Sequence, residues 1–372
     1  MKQKHTAEEI IEVLAYFDPA TSLDKYEPIG QGHIHATYLV EVTGGEGRKK
    51  YTFQRINTFV FQQPELMMAN WEKITHHLRE KLSEEPGHKG KRQSLCLLLG
   101  KDGRSFYRSA KNDYWRAYHY IDRCHTVEVA KNPEQAYEAG KAFGLFQKMV
   151  ADLNPADIFE TIPYFHHTPR RFERFLQALK IANPGRKKRA ERAINFALAR
   201  ETVVNMVTAG MASGRLPVRV THNDTKINNV LFDDETEKGV CVIDLDTTMP
   251  GSPLYDFGDL VRTATCQAAE DEVDLGRVKL DLEFFRAVAE GYLSQTADLL
   301  MPAEKELLLL AGKLLTFTIG LRFLTDYLEG DVYFKISRPE HNLERALTQF
   351  QLLSSMEEQE KEMQRVLSSL LT

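Results

Sequence analysis

The chain has 372 residues, 42% hydrophobic and 27% charged, which is long for a single core and apolar enough to bury two, so two lobes are expected. A formal charge of −5 spread over a surface of mixed sign lacks the basic footprint of a nucleic-acid or anionic-membrane binder, and neither partner is expected. The cysteines, Cys96, Cys124, Cys241 and Cys266, are scattered without a C-x-x-C pair, which argues against a zinc site or disulfide framework and fits a reducing cytoplasm.

The N-terminal MKQKHTAEEIIEVL reads as an amphipathic helix carrying acids, without the apolar core of a signal peptide. Strands then dominate. Ile34, Ala36, Tyr38, Val40 and Val42 alternate as on a half-buried strand, a turn at Thr43 to Gly47 follows, and a second strand covers Tyr51 to Asn57. Pro64 opens a helix through Lys81, Ser94 to Arg108 reads as a hairpin turning at Lys101-Asp102-Gly103, and Trp115 to Ile121 is a further strand. After residue 131 the pattern is helical, beginning at Asn132-Pro133-Glu134 and continuing over about 168–181, 185–209, 281–300, 303–329 and 339–370. The most apolar segment, Leu307 to Leu321, holds Lys313 and precedes Arg322, so a buried helix is expected and not a membrane span. One stretch interrupts the helices: Arg219 to Asp246, where a polar loop leads into Val230-Leu231-Phe232, a turn at Asp233 to Gly239, and Val240 to Ile243, a hairpin by composition.

In the strand-rich third, Tyr26 to Val42 carries Gly30-x-Gly32. A dinucleotide fingerprint would need a helix directly after the glycines, but a strand follows, which is the arrangement of a kinase phosphate lid. Such a lid demands a cation one strand later and an acid on the next helix. Arg55 meets the first demand, and Glu65 or Glu72 the second. The end of the following strand, Tyr120 and Ile121, is where an interlobe hinge would meet adenine through its backbone. The bland readings are an ordinary hairpin turn for the glycines and an exposed strand charge for Arg55.

The polar loop THNDTKINN contains H-x-D-x-x-x-x-N as His222, Asp224 and Asn229. Phosphoryl transfer to a hydroxyl needs a carboxylate to accept the proton, and Mg²⁺ ligands nearby. Asp224 suits the base, Lys226 the γ-phosphate cation, and Asn229 a metal oxygen ligand, while His222 reads as a structural ring. Asp244 follows the hairpin at a strand end and suits a metal-bridging acid; Asp246 is then a second ligand or a substrate contact. Asp256, in Tyr255-Asp256-Phe257-Gly258-Asp259, reads as a carboxylate bracing the loop.

These residues, with GQGHIHATYLVE, QRIN, WRAYHYIDRCHT, VIDLDTTMPGSPLYDFGD and LRFLTDYLEGDVYFKISRPEHNLERA, resemble the aminoglycoside phosphotransferase and choline kinase group, and within it the N-acetylhexosamine 1-kinases. The resemblance reaches across most of the chain. It implies an α+β, protein-kinase-like two-lobe fold: a small antiparallel-sheet lobe over 1–122 and a larger helical lobe over 123–372 that holds the catalytic loop and sugar site. It implies ATP and Mg²⁺ as cofactors and a monomer acting on the anomeric hydroxyl of an N-acetylated hexosamine. Arg322 and Tyr333, with Asp326 beside them, are implied as sugar-binding residues, although Arg322 could equally pair with Asp326 one helical turn away. Arg55 in place of lysine and the missing third lid glycine are departures from the general kinase pattern. Rival readings are another acceptor, such as choline, homoserine or an aminoglycoside, whose positive charge calls for a carboxylate-rich pocket, or a pseudokinase lacking one of these parts.

Overall fold

The structure is a computed structural model describing residues 5–30, 34–45, 47–84 and 92–371. Gly32 lies outside the described residues. The chain divides into two compact units, the first holding residues up to Cys124 together with Ile158–Ile162 and Leu245–Thr248, the second holding the remainder.

In the first unit, β1 (Thr21–Pro28), β2 (Ala36–Gly44), β3 (Gly47–Arg55), β4 (Phe106–Arg108) and β5 (Tyr114–His119) form one antiparallel sheet in the order β1-β2-β3-β5-β4. Helix α1 (Ala7–Phe17) opens with a capping box in which Thr6 and Glu9 satisfy each other's backbone amides. Its Ile10, Val13, Leu14 and Phe17 pack with Tyr38, Val40, Tyr51, Phe53 and Trp115 from one face of the sheet. Alternation sends Gln54 and Arg116, paired in register across β3 and β5, to the opposite face. There Trp71 of α2 (Pro64–Glu84) lies under the Arg116 guanidinium, 3.8 Å from ring centroid to Cζ. The expected hairpin at Ser94 to Arg108 takes another form: β4 pairs with β5 through a turn at Ser109 to Asp113, while Leu98 donates to the Ala117 carbonyl further along the same edge of β5. Lys101-Asp102-Gly103 is a turn, as its composition implies, but the strand that follows it chooses the next strand as partner.

Arg116 is fully buried. It holds the Asp246 carboxylate with both terminal nitrogens, Nη2 to Oδ2 at 2.8 Å, and its Nε donates to Gln54 Oε1 at 2.8 Å. Trp71 Nε1 donates to Asp246 Oδ1 at 2.9 Å and His35 Nε2 to Oδ2 at 2.8 Å, so each carboxylate oxygen is fully subscribed.

The second unit begins near the short strand β6 (Cys124–His125) and contains α3 (Pro133–Met149), α4 (Thr168–Ile181), α5 (Pro184–Arg189), α6 (Glu191–Leu198), α7 (Met206–Ala212), β7 (Arg219–Thr221), β8 (Val230–Asp233), β9 (Gly239–Val242), β10 (Met249–Gly251), α8 (Pro253–Ala264), α9 (Leu282–Thr296), α10 (Pro302–Glu306), α11 (Leu308–Glu329), α12 (His341–Glu358) and α13 (Glu360–Leu370). Helices α3 and α9 approach closely enough that a Cβ on Gly291 would lie 2.2 Å from the Tyr137 carbonyl oxygen. The expected helices at 185–209 and 339–370 are broken, the second at Gln359, whose amide side chain donates to the Leu280 carbonyl at 2.9 Å; such tertiary bonds end a helix where the apolar period does not. Helix α11 is long and apolar enough to cross a membrane by length and composition, and 72% of that window is buried inside the protein.

Replacing Arg116 by Met should leave the buried Asp246 charge unmatched and lower the unfolding free energy by about 3–5 kcal/mol. Chemical denaturation checks this, and adding Asp246→Asn to the same chain should return part of the loss. Equal stability of wild type and Arg116→Met would contradict it.

Candidate active site

β7 delivers the polar loop, and the β8–β9 hairpin closes it. Val230 pairs with Val242, and one step further the Ile243 amide donates to the Asn229 carbonyl at 2.9 Å. The hairpin register therefore fixes Asn229 opposite Ile243, with Asp244 next along the chain in left-handed backbone at φ 61°. The loop is held from beneath by Asp256 in the first turn of α8. Its carboxylate accepts the amides of His222 and Asn223 at 2.9 and 2.7 Å, and its carbonyl accepts the Thr225 hydroxyl at 2.6 Å. Burial pushes the Asp256 carboxyl up to about 7, against the two amide bonds that favour its ionised form. Asn223, left-handed at φ 65°, turns its side chain back to the Thr221 carbonyl. Asn228 donates to Glu128 at 3.0 Å. Both asparagine amides thus shape the loop.

His222 is fully buried; its Nε2 donates to the Ile243 carbonyl at 2.9 Å and its Nδ1 accepts the Asp224 amide at 3.2 Å. Asp224 remains partly open to solvent. Asn229 Nδ2 donates to its Oδ2 at 3.1 Å and Lys226 Nζ lies 3.5 Å from its Oδ1. Burial raises the Asp224 carboxyl, but Lys226 above all, with His222, Arg262 and the Asn229 amide, outweighs burial and holds it below its ordinary value. Asp224 in turn raises Lys226. The pair is ionised at neutral pH, a carboxylate ready to accept a proton. Because the Asn229 nitrogen faces Asp224, its Oδ1 is turned outward, the donor type that Mg²⁺ takes.

A pocket of about 370 Å³, open to solvent, is lined by α4 and α11 and by the loop that follows Gly330. Arg322, Tyr333 and Asp326 all line it, joined by Arg171, Arg174 and Glu329. The Arg322 guanidinium stands 5.1 Å from the Phe165 ring and 5.5 Å from that of Phe334, with no carboxylate partner among the described residues. Its i,i+4 pairing with Asp326 does not form. Asp326 Oδ1 accepts the Val332 and Tyr333 amides and Oδ2 accepts the Phe334 amide and the Asn342 side chain, all at 2.8 to 2.9 Å. With its lone pairs occupied, Asp326 orders the Tyr333 loop and is not free to hold a sugar. Tyr333 itself is 46% exposed. Glu329 is taken up bidentately by Arg174, at 2.9 and 2.6 Å. Burial first, then neighbouring charges including the opposing pull of Asp224, place Arg322 below its ordinary value, so pocket and base feel each other's charge.

The two are joined by Phe165-His166. The Phe165 carbonyl accepts Arg171, and His166 Nε2 donates to the Asn223 carbonyl at 2.7 Å, one residue before the base. His166 is buried, its Nδ1 has no hydrogen-bond partner among the described residues, and burial lowers the ring to about 4. Sequence spacing gave no sign of either residue; the only cue was a polar cluster, FHHTPRRF, at a helix start.

The first unit holds the remaining expected residues. Gly30 is left-handed at φ 71°, the Tyr120 amide donates to the Lys50 carbonyl, and Ile121 is buried. Arg55 is not brought to the Asp246 face. Strand parity puts it on the α1 face, where Nη2 pairs with Asp113 Oδ1 at 2.5 Å; Glu65 accepts the Tyr114 hydroxyl and Glu72 is exposed. The oxygens of Asp246, expected as a second metal ligand or a substrate contact, are taken up by Arg116, His35 and Trp71.

The model of the phosphotransferase enzyme family APH matches residues 25–292, and the chain belongs to that family. Among solved structures it is similar to a spectinomycin phosphotransferase in complex with ADP and spectinomycin, at 13% identity and TM-score 0.59, covering 95% of this chain and 99% of that one. An aminoglycoside phosphotransferase from Alicyclobacillus acidocaldarius matches at 13% identity and TM-score 0.57 over 100% and 96% of the two chains. A Plasmodium vivax ethanolamine kinase matches at 13% identity and TM-score 0.51 over 93% and 95%. The fold is protein-kinase-like.

A His ring titrating near 6.5 unfolded and near 4 folded takes up its proton first in the unfolded chain, so its contribution to stability is lost as pH falls from about 6.5 to about 4. The stability advantage of wild type over His166→Gln, which keeps an N–H donor, should shrink by about 3 kcal/mol across that window. Urea unfolding at several pH values measures it, and parallel curves for the two proteins would refute the neutral buried ring.

Proposed function

We propose that the protein phosphorylates the anomeric C1 hydroxyl of N-acetylhexosamines, GlcNAc or GalNAc, using ATP and Mg²⁺. The observation that carries this reading is the character of the pocket: Arg171 and Arg322 lack carboxylate partners among the described residues, Tyr333 offers a half-exposed aromatic face, and the acids present are already engaged. Such a lining suits an uncharged ring rich in hydroxyl and carbonyl oxygens and repels ammonium groups. Adenine nucleotide as donor is supported by the ADP complex of the similar spectinomycin phosphotransferase. That relative's acceptor and the acceptor of the ethanolamine kinase mark the rival classes.

In this reading the C1 hydroxyl gives its proton toward Asp224 as its oxygen attacks the γ-phosphorus of ATP in line, and Lys226 faces the charge that develops there. Asn229 and Asp244 would hold Mg²⁺, which neutralises phosphate charge when bound. Gly30 and Gly32 would let backbone amides approach the phosphates, and Tyr120 and Ile121 would meet the adenine. Arg55, engaged by Asp113, has no part in this grip.

ADP release over a panel of hexoses, N-acetylhexosamines and amino alcohols, with phosphorus NMR of the product, tests the proposal; turnover confined to amino alcohols defeats it. Asp224→Asn should lower kcat by about 10³-fold or more while nucleotide affinity stays within about threefold, since the base acts on the acceptor and not on ATP. Unimpaired turnover in that variant would remove Asp224 from its role.

A further inference from the structure

Arg171 lies in the first turn of α4 and lines the same pocket as Arg322. Its Nε and Nη2 both donate to the Phe165 carbonyl, at 3.4 and 3.1 Å, which fixes the plane of the guanidinium and leaves Nη1 without a protein acceptor among the described residues. Burial foremost, and then the charge of Arg322, bring it down to about 10. The two candidate counter-ions are committed elsewhere: Asp326 to three backbone amides and Asn342, Glu329 to Arg174. The pocket therefore sets three guanidiniums, Arg171, Arg174 and Arg322, against two carboxylates, Asp326 and Glu329, and neither Arg171 nor Arg322 has a carboxylate in ion-pair contact among the described residues. That arrangement is unfavourable in the empty protein and is relieved by a ligand bringing oxygen lone pairs without positive charge.

We infer that Arg171 is a further specificity-determining residue, which together with Arg322 selects acceptors carrying an acyl carbonyl at C2 and excludes their free-amine counterparts. The inference rests on the sugar reading above and adds the residue and the chemistry by which the pocket discriminates. An acetamido oxygen is an acceptor that a fixed guanidinium fork can take. A protonated 2-amino group of similar size would add to the excess of positive charge in the pocket, so the discrimination is mainly repulsive.

The test compares wild type, Arg171→Gln and Arg171→Lys with N-acetylglucosamine, glucosamine and glucose, at a pH where the free amine is protonated. A sugar that is not turned over is measured as a competitive inhibitor. In Arg171→Gln the KM for N-acetylglucosamine should rise about tenfold with kcat within about threefold, and the preference for glucose over glucosamine should fall about tenfold. Arg171→Lys keeps the charge and loses the fork, so it should retain that preference and lose the acetamido advantage; it carries the test if Arg171→Gln does not fold. Unchanged ratios, or an equal loss on all three sugars, would assign Arg171 a structural role and overturn the inference. Turnover confined to a different uncharged acceptor would overturn only the sugar reading, and the comparison then passes to that acceptor and its ammonium-bearing analogue. Turnover confined to ammonium-bearing acceptors would overturn both.

Discussion

The loop from His222 to Thr225 depends on one buried carboxylate beneath it. Asp256 is buried without a cation beside it, and the penalty is visible in its raised titration. What it secures is a left-handed asparagine directly before Asp224: with the amides of His222 and Asn223 on its two oxygens, the chain turns at Asn223 and leaves Asp224 partly open to solvent. Two backbone donors buried without that acceptor would each lose about 1–3 kcal/mol, enough to reopen the loop. The imidazole of His166 grips the next carbonyl from the other side, so the turn is clamped through both of its peptide groups.

Around this fixed turn the charges have separate tasks. Lys226 and Arg262 keep Asp224 ionised in spite of burial, and the Arg262 guanidinium is itself anchored by Asp259 at 2.8 Å and Glu270 at 3.1 Å. In the first unit Arg116 and Asp246 neutralise one another so completely that they serve cohesion. Arg171 and Arg322 of the pocket stand apart from both sets, because neither has a carboxylate partner among the described residues. Isolated surface ion pairs contribute little, so it is the buried matched pair and the buried unmatched one that carry consequences.

What could be read from sequence follows how local the determinants are. The loop and hairpin from Thr221 to Asp244 were legible because fixed spacing along one short stretch sets which residues face each other, and the bracing by Asp256 followed from its place at a helix start. Arg55 and Arg116 show the opposite case. Each is an arginine in a strand; which one faces α2 is decided by parity counted from the neighbouring strands, and an arginine set among aromatics in YWRAYHY was the available hint. Asp326 was implied as a sugar-binding residue by the family resemblance, with a pair to Arg322 one helical turn away as the rival reading, but the loop after Gly330 folds back and delivers its amides to it, a contact no periodicity announces.

The Phe165-His166 dipeptide has a consequence for how such a protein can diverge. The walls of the pocket come from 171–174 and 322–334, while the loop that carries Asp224 comes from 221–229, so the two are encoded far apart and meet through these adjacent residues. Under the proposed function, substitutions in the walls would retune which molecule is accepted without touching the residues assigned to phosphate transfer. A change at the dipeptide alters both at once, which makes it the narrow point through which a lineage exchanging one acceptor for another must leave the chemistry intact.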